Sequence, residues 1–157
     1  IESGVHLTVF NEYLLPKKKK LGLKSHRNMD DNVAILKIFP GINKNVIDAM
    51  LGTKKLKALV LETYGSGNAP MEEWFLNRLN KAIKKGIHII NVTQCSGGAV
   101  MMGHYETSSR LKKMQVINGK DITTEAAITK AMYLLGCGVS QDLFKTVFET
   151  SLRGEML

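Results

Sequence analysis

Hydrophobic residues along the chain occur in two patterns, and the first of them, the short apolar run, predicts strands. Apolar runs at Val33 to Phe39, Ala58 to Leu61 and Ile87 to Val92 end in proline, glycine or polar residues, which is typical of buried strands. The run from Val33 to Phe39 is apolar enough to predict burial on both faces. His6 to Phe10 is a shorter strand candidate.

Between these runs, apolar residues recur at spacings of three and four, which predicts helices that pack by one face. The first helix is capped by Asn43 or Asn45 and ends at Gly52. The second starts behind Pro70 and ends at Gly86, with acidic residues early and basic residues late, as the helix dipole favours. The residues expected to face the core are Val46, Ile47, Met50 and Leu51 in the first helix and Met71, Trp74, Phe75, Leu79, Ala82 and Ile83 in the second.

The rest of the chain is predicted to be helical. A short helix lies near Ser108 to Met114, another starts at Thr123 or Thr124, and a third is capped by Ser140. The last two are separated by Gly136 and Gly138, and their expected inward residues are Ala127, Ile128, Ala131, Leu134, Leu135, Leu143, Phe144, Val147 and Phe148. Alternating strands and helices imply right-handed crossovers. The predicted fold class is therefore α/β, a flavodoxin- or Rossmann-like three-layer α-β-α domain with a mainly parallel sheet of about four strands.

Two polar loops follow neighbouring strands. The turn from Gly65 to Asn68 lies between the central strand and the helix behind Pro70, and the loop from Thr93 to Gly98 follows the next strand. The carboxyl ends of parallel strands share one edge of a sheet, where α/β proteins bind ligands and helix N-termini offer free N–H donors. We therefore expect the turn from Gly65 to Asn68 to lie at or next to the functional site.

The chemistry of these loops is ambiguous from the residues alone. The glycine turn could cradle an anion, but it matches neither the dinucleotide fingerprint nor the P-loop, and a plain tight turn is an equally good interpretation. Cys95 with His104 as its base is less favoured, because a lone cysteine after a buried strand is usually an inert small hydrophobe. Ser66 and Ser96 lack the hydrolase elbow pattern. His88, inside a strand pattern, is expected to be a packing residue.

Composition narrows the class of protein. A chain of 157 residues fits one domain, and its 44% apolar and 23% charged content is ordinary for a globular protein. No apolar stretch approaches the roughly 20 residues of a membrane helix, so we expect no membrane partner. Cys95 and Cys137 show no metal-ligand spacing and suit reduced thiols in a cytoplasmic compartment. The chain begins at Ile1 rather than Met, so targeting information upstream of it would be invisible.

The formal net charge of +8 raises the question of nucleic acid. Half of the excess comes from the four lysines Lys17 to Lys20, without interleaved aromatic residues or a recognisable binding module. Blocks of like charge usually stay in water, so this run is expected to be a solvated loop between strands. We expect no nucleic-acid partner.

Five separated segments resemble one known family. They are Ile38 to Ile42 (Ile-Phe-Pro-Gly-Ile), Tyr64 to Pro70 (Tyr-Gly-Ser-Gly-Asn-Ala-Pro), Asn91 to Cys95 (Asn-Val-Thr-Gln-Cys), Met102 to Tyr105 (Met-Gly-His-Tyr) and Leu152 to Glu155 (Leu-Arg-Gly-Glu). In order and spacing they are similar to the carboxyl-terminal half of bacterial type I, cytoplasmic L-asparaginases. The opening Ile1 to His6 resembles the segment that leads out of the family's first domain.

The resemblance implies that residues 1–157 are the smaller, C-terminal domain of an amidohydrolase. In the family a threonine oxygen attacks the side-chain carbonyl of L-asparagine, ammonia leaves, and water releases L-aspartate. The nucleophilic threonine in a Gly-Gly-Thr motif, and the Thr-Asp pair and lysine that activate a second threonine and water, belong to the N-terminal domain, which is absent from this chain. The resemblance thus implies no catalytic residue here, no activity of this chain alone, no cofactor or metal, and assembly into a homodimer or homotetramer.

The same resemblance assigns binding residues. Asn68, with Gly67, matches the position that completes the substrate site of a neighbouring subunit. Some type I members also have an allosteric asparagine site, whose matching positions here are Thr93 and Cys95. Those members carry an arginine where this chain has Glu62, which inverts the charge at one contact and predicts hyperbolic kinetics. Glu106, where relatives often carry a small residue, has no explanation.

Two other classes of function stay open beside this one. The chain could be a stand-alone α/β module that binds an anion or nucleotide at the glycine turn. It could also be an assembly domain whose apolar surface drives oligomer formation. Neither accounts for the five segments.

Overall fold

The computed structural model describes residues 2–3, 5–9, 11, 25–103 and 106–157. Three sequence predictions fall outside these residues: the solvated loop at Lys17 to Lys20, the proposed base His104, and Tyr105.

The described strands form two sheets. Strands β1 (Glu2–Ser3) and β2 (Leu7–Thr8) pair antiparallel. The main sheet is parallel, with the order β3-β4-β5-β6. Its strands are β3 (Val33–Lys37), β4 (Ala58–Thr63), β5 (His88–Thr93) and β6 (Ile117–Asn118). All four therefore end at one edge.

Helices cover both faces of the main sheet and create two cores. They are α1 (Lys44–Leu51), α2 (Glu73–Lys84), α3 (Glu106–Lys113), α4 (Thr124–Gly136) and α5 (Gln141–Phe148). Leu59 and Leu61 of β4 belong to the core that contains residues of α1, α2 and α3, whereas Ala58 and Val60 belong to the core with α4 and α5. Alternate side chains of one strand thus enter opposite layers, and the predicted three-layer α/β fold is confirmed. None of the helices in the described ranges is long and apolar enough to cross a membrane.

Local sequence explains most helix ends. The side chain of Asn43 accepts hydrogen bonds from the N–H groups of Asn45 and Val46, and Thr123 accepts one from Ala126, as capping residues do. Ser140 occupies the predicted cap position of α5, but its side chain makes no capping hydrogen bond.

Several burial predictions were wrong, for one shared reason. The segment that contains β3 is not buried on both faces, since Ile35 is 40% and Phe39 48% exposed. Leu143 is 58% exposed, and Val46 of α1 and Met71, which precedes α2, are each 37% exposed. These residues lie at an edge strand or beyond the covered face of a helix, and periodicity alone cannot tell where the covering layer stops.

The predicted number of strands in the main sheet was right, but one of the four strands was not the one expected. The candidate at His6 to Phe10 contains β2, which pairs with β1 outside the main sheet. The fourth parallel strand is β6, which the sequence pattern did not predict. Two residues are too few to show a period, and Ile117 becomes a strand residue by pairing with Ile90.

Candidate functional site

The glycine turn is closed by backbone hydrogen bonds directly behind β4. Tyr64 donates to the carbonyl of Asn68 at 2.9 Å, and Asn68 donates back to the carbonyl of Tyr64 at 2.8 Å. Gly67 also donates to the carbonyl of Tyr64, at 3.0 Å. The turn is therefore a small, tightly closed loop at the carboxyl edge of the sheet, with the half-buried Asn68 at its exit.

Gly67 is a glycine for two reasons. Its φ of +101° lies in a region that residues with a side chain rarely adopt. A Cβ atom there would also lie 2.6 Å from Cγ1 of Val100 and 3.1 Å from Nδ2 of Asn91. Gly65, with a φ of +48°, has open space where a Cβ atom would lie, so only its backbone conformation favours glycine. The turn is thus packed on one side and open on the other.

Two fully buried polar side chains lie beneath the turn. Thr63 donates its hydroxyl proton to Oδ1 of Asn91 at 2.6 Å and lies 3.0 Å from the carbonyl oxygen of Val92. Asn91 then donates through Nδ2 to the carbonyl oxygen of Gly67 at 3.1 Å. Burial of these groups is tolerated because each of them has a partner.

The loop after β5 is tied to the glycine turn. The hydroxyl of Thr93 donates to the carbonyl oxygen of Gly65 and accepts the N–H of Cys95 at 3.0 Å. Gln94 donates through Nε2 to the carbonyl oxygens of Ile38, at 2.7 Å, and Glu62, at 2.9 Å. The edge therefore joins the ends of three strands, as the parallel arrangement predicts.

A cleft of about 280 Å³ opens beside this loop. Its walls are Glu62 of β4, the loop from Thr93 to Gly98, and the segment from Asp121 to Glu125 at the start of α4. Oε1 of Glu62 accepts the hydroxyl of Thr124 at 2.6 Å, and the ammonium of Lys37 lies 3.9 Å from Oε2. Three carboxylate side chains, of Glu62, Asp121 and Glu125, thus line one small cleft.

The other candidates from the sequence lie in different surroundings. Cys95 is exposed, so it does not pack in the core as the comparison with a small hydrophobe suggested. Ser96 is exposed and Ser66 is half-buried. His88 is a packing residue, as predicted: it stacks on Phe144 at 3.8 Å, and burial lowers its pKa to about 4. Among residues 25–103 and 106–157, no group of three His, Cys, Asp or Glu side chains is placed to hold a metal ion.

The supporting residues Thr63, Asn91 and Gln94 were not predicted from the sequence. The available signal was a polar residue inside an otherwise apolar strand, since Asn91 interrupts Ile89-Ile90 and Val92. That signal shows that a buried partner must exist. The identity of the partner, a turn 24 residues earlier in the chain, depends on the pairing of β4 with β5.

A second buried polar group lies in the other core layer, beside Phe148 and Met156. Nζ of Lys130, on α4, contacts a carboxylate oxygen of Glu155 and donates to the carbonyl oxygen of Thr150 at 2.7 Å. Glu155 also accepts the N–H groups of Leu152, at 3.0 Å, and Arg153, at 2.6 Å. Burial by itself raises the pKa of Glu155, but these donors outweigh burial and lower it to about 2.

Known proteins share both the sequence pattern and the fold of this chain. The family model described as the glutaminase/asparaginase C-terminal domain matches residues 32–148. L-asparaginase 1 of Escherichia coli (strain K12) is 36% identical over 99% of this chain and 46% of its own length. The 60 kDa lysophospholipase of Homo sapiens is 38% identical over 98% of this chain and 26% of its own length. L-asparaginase I from Vibrio cholerae superposes with a TM-score of 0.75 and 38% identity, covering 80% of this chain and 38% of that one. The chain thus spans about half the length, or less, of these relatives.

Proposed function

Because the chain belongs to the glutaminase/asparaginase C-terminal domain family, we propose that it is the carboxyl-terminal domain of an L-asparaginase. Such an enzyme hydrolyses L-asparagine to L-aspartate and ammonia. The observation that carries the proposal is similarity over nearly the whole chain to L-asparaginase 1 of Escherichia coli. A stand-alone nucleotide module or assembly domain has no comparable support. A cytoplasmic location is part of the proposal.

The proposed reaction divides between two domains. The hydroxyls of Thr63 and Thr93 are both engaged, the first with Asn91 and the second with Gly65, which suits support rather than nucleophilic attack. As the family resemblance implies, the nucleophilic threonine of the Gly-Gly-Thr motif and the groups that activate water belong in this proposal to an N-terminal domain, because residues 1–157 contain no such motif. Isolated residues 1–157 are expected to release no ammonia from L-asparagine, and a measurable rate would contradict this division.

In the proposed site Asn68 contacts the substrate bound by a neighbouring subunit, so the active enzyme is a homodimer or homotetramer. A carboxamide both donates and accepts hydrogen bonds, and it can therefore orient the charged α-amino and α-carboxylate groups without adding charge. Gly67, beside it, presents only backbone. The rigid turn behind β4 suits this role because orientation depends on a fixed direction of approach.

The test uses the full-length protein that contains this chain and measures ammonia release from L-asparagine. Asn68→Ala is expected to lower kcat/KM about tenfold, the effect of losing one or two hydrogen bonds to a charged substrate. Unchanged kinetics would remove Asn68 from the site. Because one similar protein is named a lysophospholipase, the same preparation is assayed with a lysophospholipid. Turnover of that substrate without turnover of L-asparagine would overturn the proposed function.

We further propose that the cleft at Glu62 does not bind L-asparagine as an allosteric effector. The carboxylate of Glu62 already accepts the hydroxyl of Thr124, and Asp121 and Glu125 add negative charge. The ammonium of Lys37, 3.9 Å from Oε2 of Glu62, offsets one of these three negative charges, and neither Thr93 nor Cys95 adds a cation. An incoming α-carboxylate would therefore still be repelled. The rate is therefore expected to depend hyperbolically on L-asparagine concentration. A sigmoidal curve that becomes hyperbolic when L-asparagine binding to the cleft is blocked by Cys95→Trp would contradict this.

A further inference from the structure

The buried pair beneath the glycine turn has a fixed orientation. The carbonyl oxygen of Gly67 can only accept, so the side-chain atom of Asn91 that faces it must be the nitrogen Nδ2. The opposite atom, Oδ1, accepts the hydroxyl of Thr63 at 2.6 Å. A flipped amide would place an oxygen against the carbonyl and two donors at the hydroxyl. The carbonyl oxygen of Gly67 therefore selects this orientation, because the hydroxyl of Thr63 could also accept from a flipped amide. Thr63 secures the orientation by donating to Oδ1.

Asn91 itself cannot easily shift. It lies in β5 between β4 and β6, and its own carbonyl accepts the N–H of Gly119 at 2.8 Å. Both its side chain and that of Thr63 are fully buried. The donor that meets Gly67 is thus mounted on a central strand of the sheet rather than on a loop.

The acceptor belongs to the peptide group that joins Gly67 to Asn68. Its carbonyl oxygen accepts Nδ2 of Asn91, and its N–H, which belongs to Asn68, donates to the carbonyl oxygen of Tyr64 at 2.8 Å. A peptide group is planar, so holding it at both ends fixes its plane. The carbonyl oxygen of Asn68 is also held, by the N–H of Tyr64 at 2.9 Å, so the peptide groups on both sides of Asn68 constrain the direction in which its Cα–Cβ bond leaves the backbone.

We propose that Asn91 is a positioning residue for the proposed reaction: with Thr63 behind it, it fixes the Gly67–Asn68 peptide and so aims the side chain of Asn68 at the substrate. This inference rests on the proposed function of Asn68. It assigns a role to two buried residues that touch no substrate. The role requires their effect on catalysis to pass through Asn68.

A double-mutant cycle in the full-length enzyme tests this route. Asn91→Ala removes the donor and is expected to change the same kinetic parameter as Asn68→Ala, in the same direction, by about fivefold to tenfold. In the Asn68→Ala background, Asn91→Ala is expected to have less than about a twofold effect, because the residue it positions is gone. Equal effects in both backgrounds would overturn the proposal.

A second variant covers the case in which Asn91→Ala does not fold. Thr63→Val keeps the branched shape and removes the hydroxyl that donates to Oδ1 of Asn91, so the amide is held only through Nδ2. It is expected to reproduce the kinetic change, and Thr63→Ser, which keeps the hydroxyl, is expected to restore at least half of the wild-type kcat/KM. A Thr63→Val enzyme with wild-type kinetics would count against the proposal. The matched control is His88→Leu, a buried polar side chain at the other end of β5, assayed at pH 8. Its kinetic effect is expected to be the same with or without Asn68.

A measurement independent of activity distinguishes failure of the positioning role of Asn91 from failure of the proposed role of Asn68. Backbone hydrogen exchange of residues 64–70 in the full-length protein is expected to become at least about tenfold faster in Asn91→Ala. Exchange of the same residues in His88→Leu, with the melting temperatures of both variants measured, shows how much of the change comes from general loss of stability. Unchanged exchange would overturn the positioning role even if Asn68→Ala impairs catalysis. Faster exchange in Asn91→Ala together with wild-type kinetics in Asn68→Ala would overturn the proposed function of Asn68. Asn91 would then support the turn without a role in catalysis.

Discussion

Two buried polar groups lie in different core layers of this molecule and differ in their chemistry. Beneath the glycine turn, Thr63 and Asn91 form a neutral chain of hydrogen bonds that ends on a backbone carbonyl. On α4, the ammonium of Lys130 pairs with the carboxylate of Glu155, and its Nζ lies 5.1 Å from the ring centroid of Phe148. The first pair is uncharged and directional, whereas the second is ionic.

The difference matches what each region has to do. A neutral amide specifies geometry through its donor and acceptor, and its charge does not change with pH, which suits a binding turn. A buried ion pair adds little net stability, but losing one partner leaves an uncompensated charge and is costly. Lys130 therefore makes the fold depend on the docked segment from Thr150 to Glu155. One buried polar group orients the glycine turn, and the other ties α4 to the C-terminal segment.

The largest expected effect comes from breaking the ionic group. Glu155→Gln leaves the ammonium of Lys130, whose side chain is 4% exposed, without its carboxylate, and is expected to destabilise the fold by about 3 kcal/mol. Urea unfolding followed through the fluorescence of Trp74 measures the loss. The control is Asp30→Asn, which removes the carboxylate from Lys57, whose side chain is 53% exposed, and the cost of this variant is expected to stay below about 1 kcal/mol. Equal costs for the two variants would contradict the contrast.

An intermediate effect is expected at the neutral group. Gly67→Ala combines an unfavourable φ with a Cβ placed 2.6 Å from Val100, and is expected to cost about 2 kcal/mol and to raise KM. Gly65→Ala meets no neighbour and is expected to cost about 1 kcal/mol. Adding Val100→Ala to Gly67→Ala is expected to recover part of the difference. Equal losses in the free energy of unfolding for Gly65→Ala and Gly67→Ala would contradict the role given to close packing at Gly67.

The smallest effect is a pH dependence at the other end of β5. His88 has a folded pKa of about 4, below its ordinary 6.5, because it is buried against Phe144. Between pH 6.5 and 4 the unfolded chain binds this proton and the folded chain does not, so stability falls as the pH is lowered. His88→Leu is expected to lose less stability than the wild type between pH 6.5 and 5. That interval lies above the ordinary pKa values of 4.5 for Glu155 and 3.8 for Asp30. Near those values the unfolded chain binds protons that the folded chain, with both pKa values at about 2, does not bind.

The sequence predicted the helices and strands of the fold wherever the hydrophobic pattern was long enough to be recognised. The helices α1, α2 and α4 and the strands β4 and β5 were predicted close to their observed bounds, because burial of one face imposes a repeat on the residues. Strand β6, with two residues, has no repeat, and the exposure of Ile35 and Leu143 depends on where neighbouring elements end. These features are set by contacts between distant segments.

What the sequence determined by itself was the type of protein and the place of the glycine turn. Strand and helix periods fixed the α/β class, and five spaced segments indicated the family, since local propensity and residue order are properties of the chain. Only the tertiary structure decided that Asn91 supports Gly67 from β5 and that Glu62 accepts a hydrogen bond from Thr124 at α4. The physical reason is that each of these contacts joins residues more than 20 positions apart, and only the pairing and packing of the strands and helices brings their polar atoms within hydrogen-bond distance.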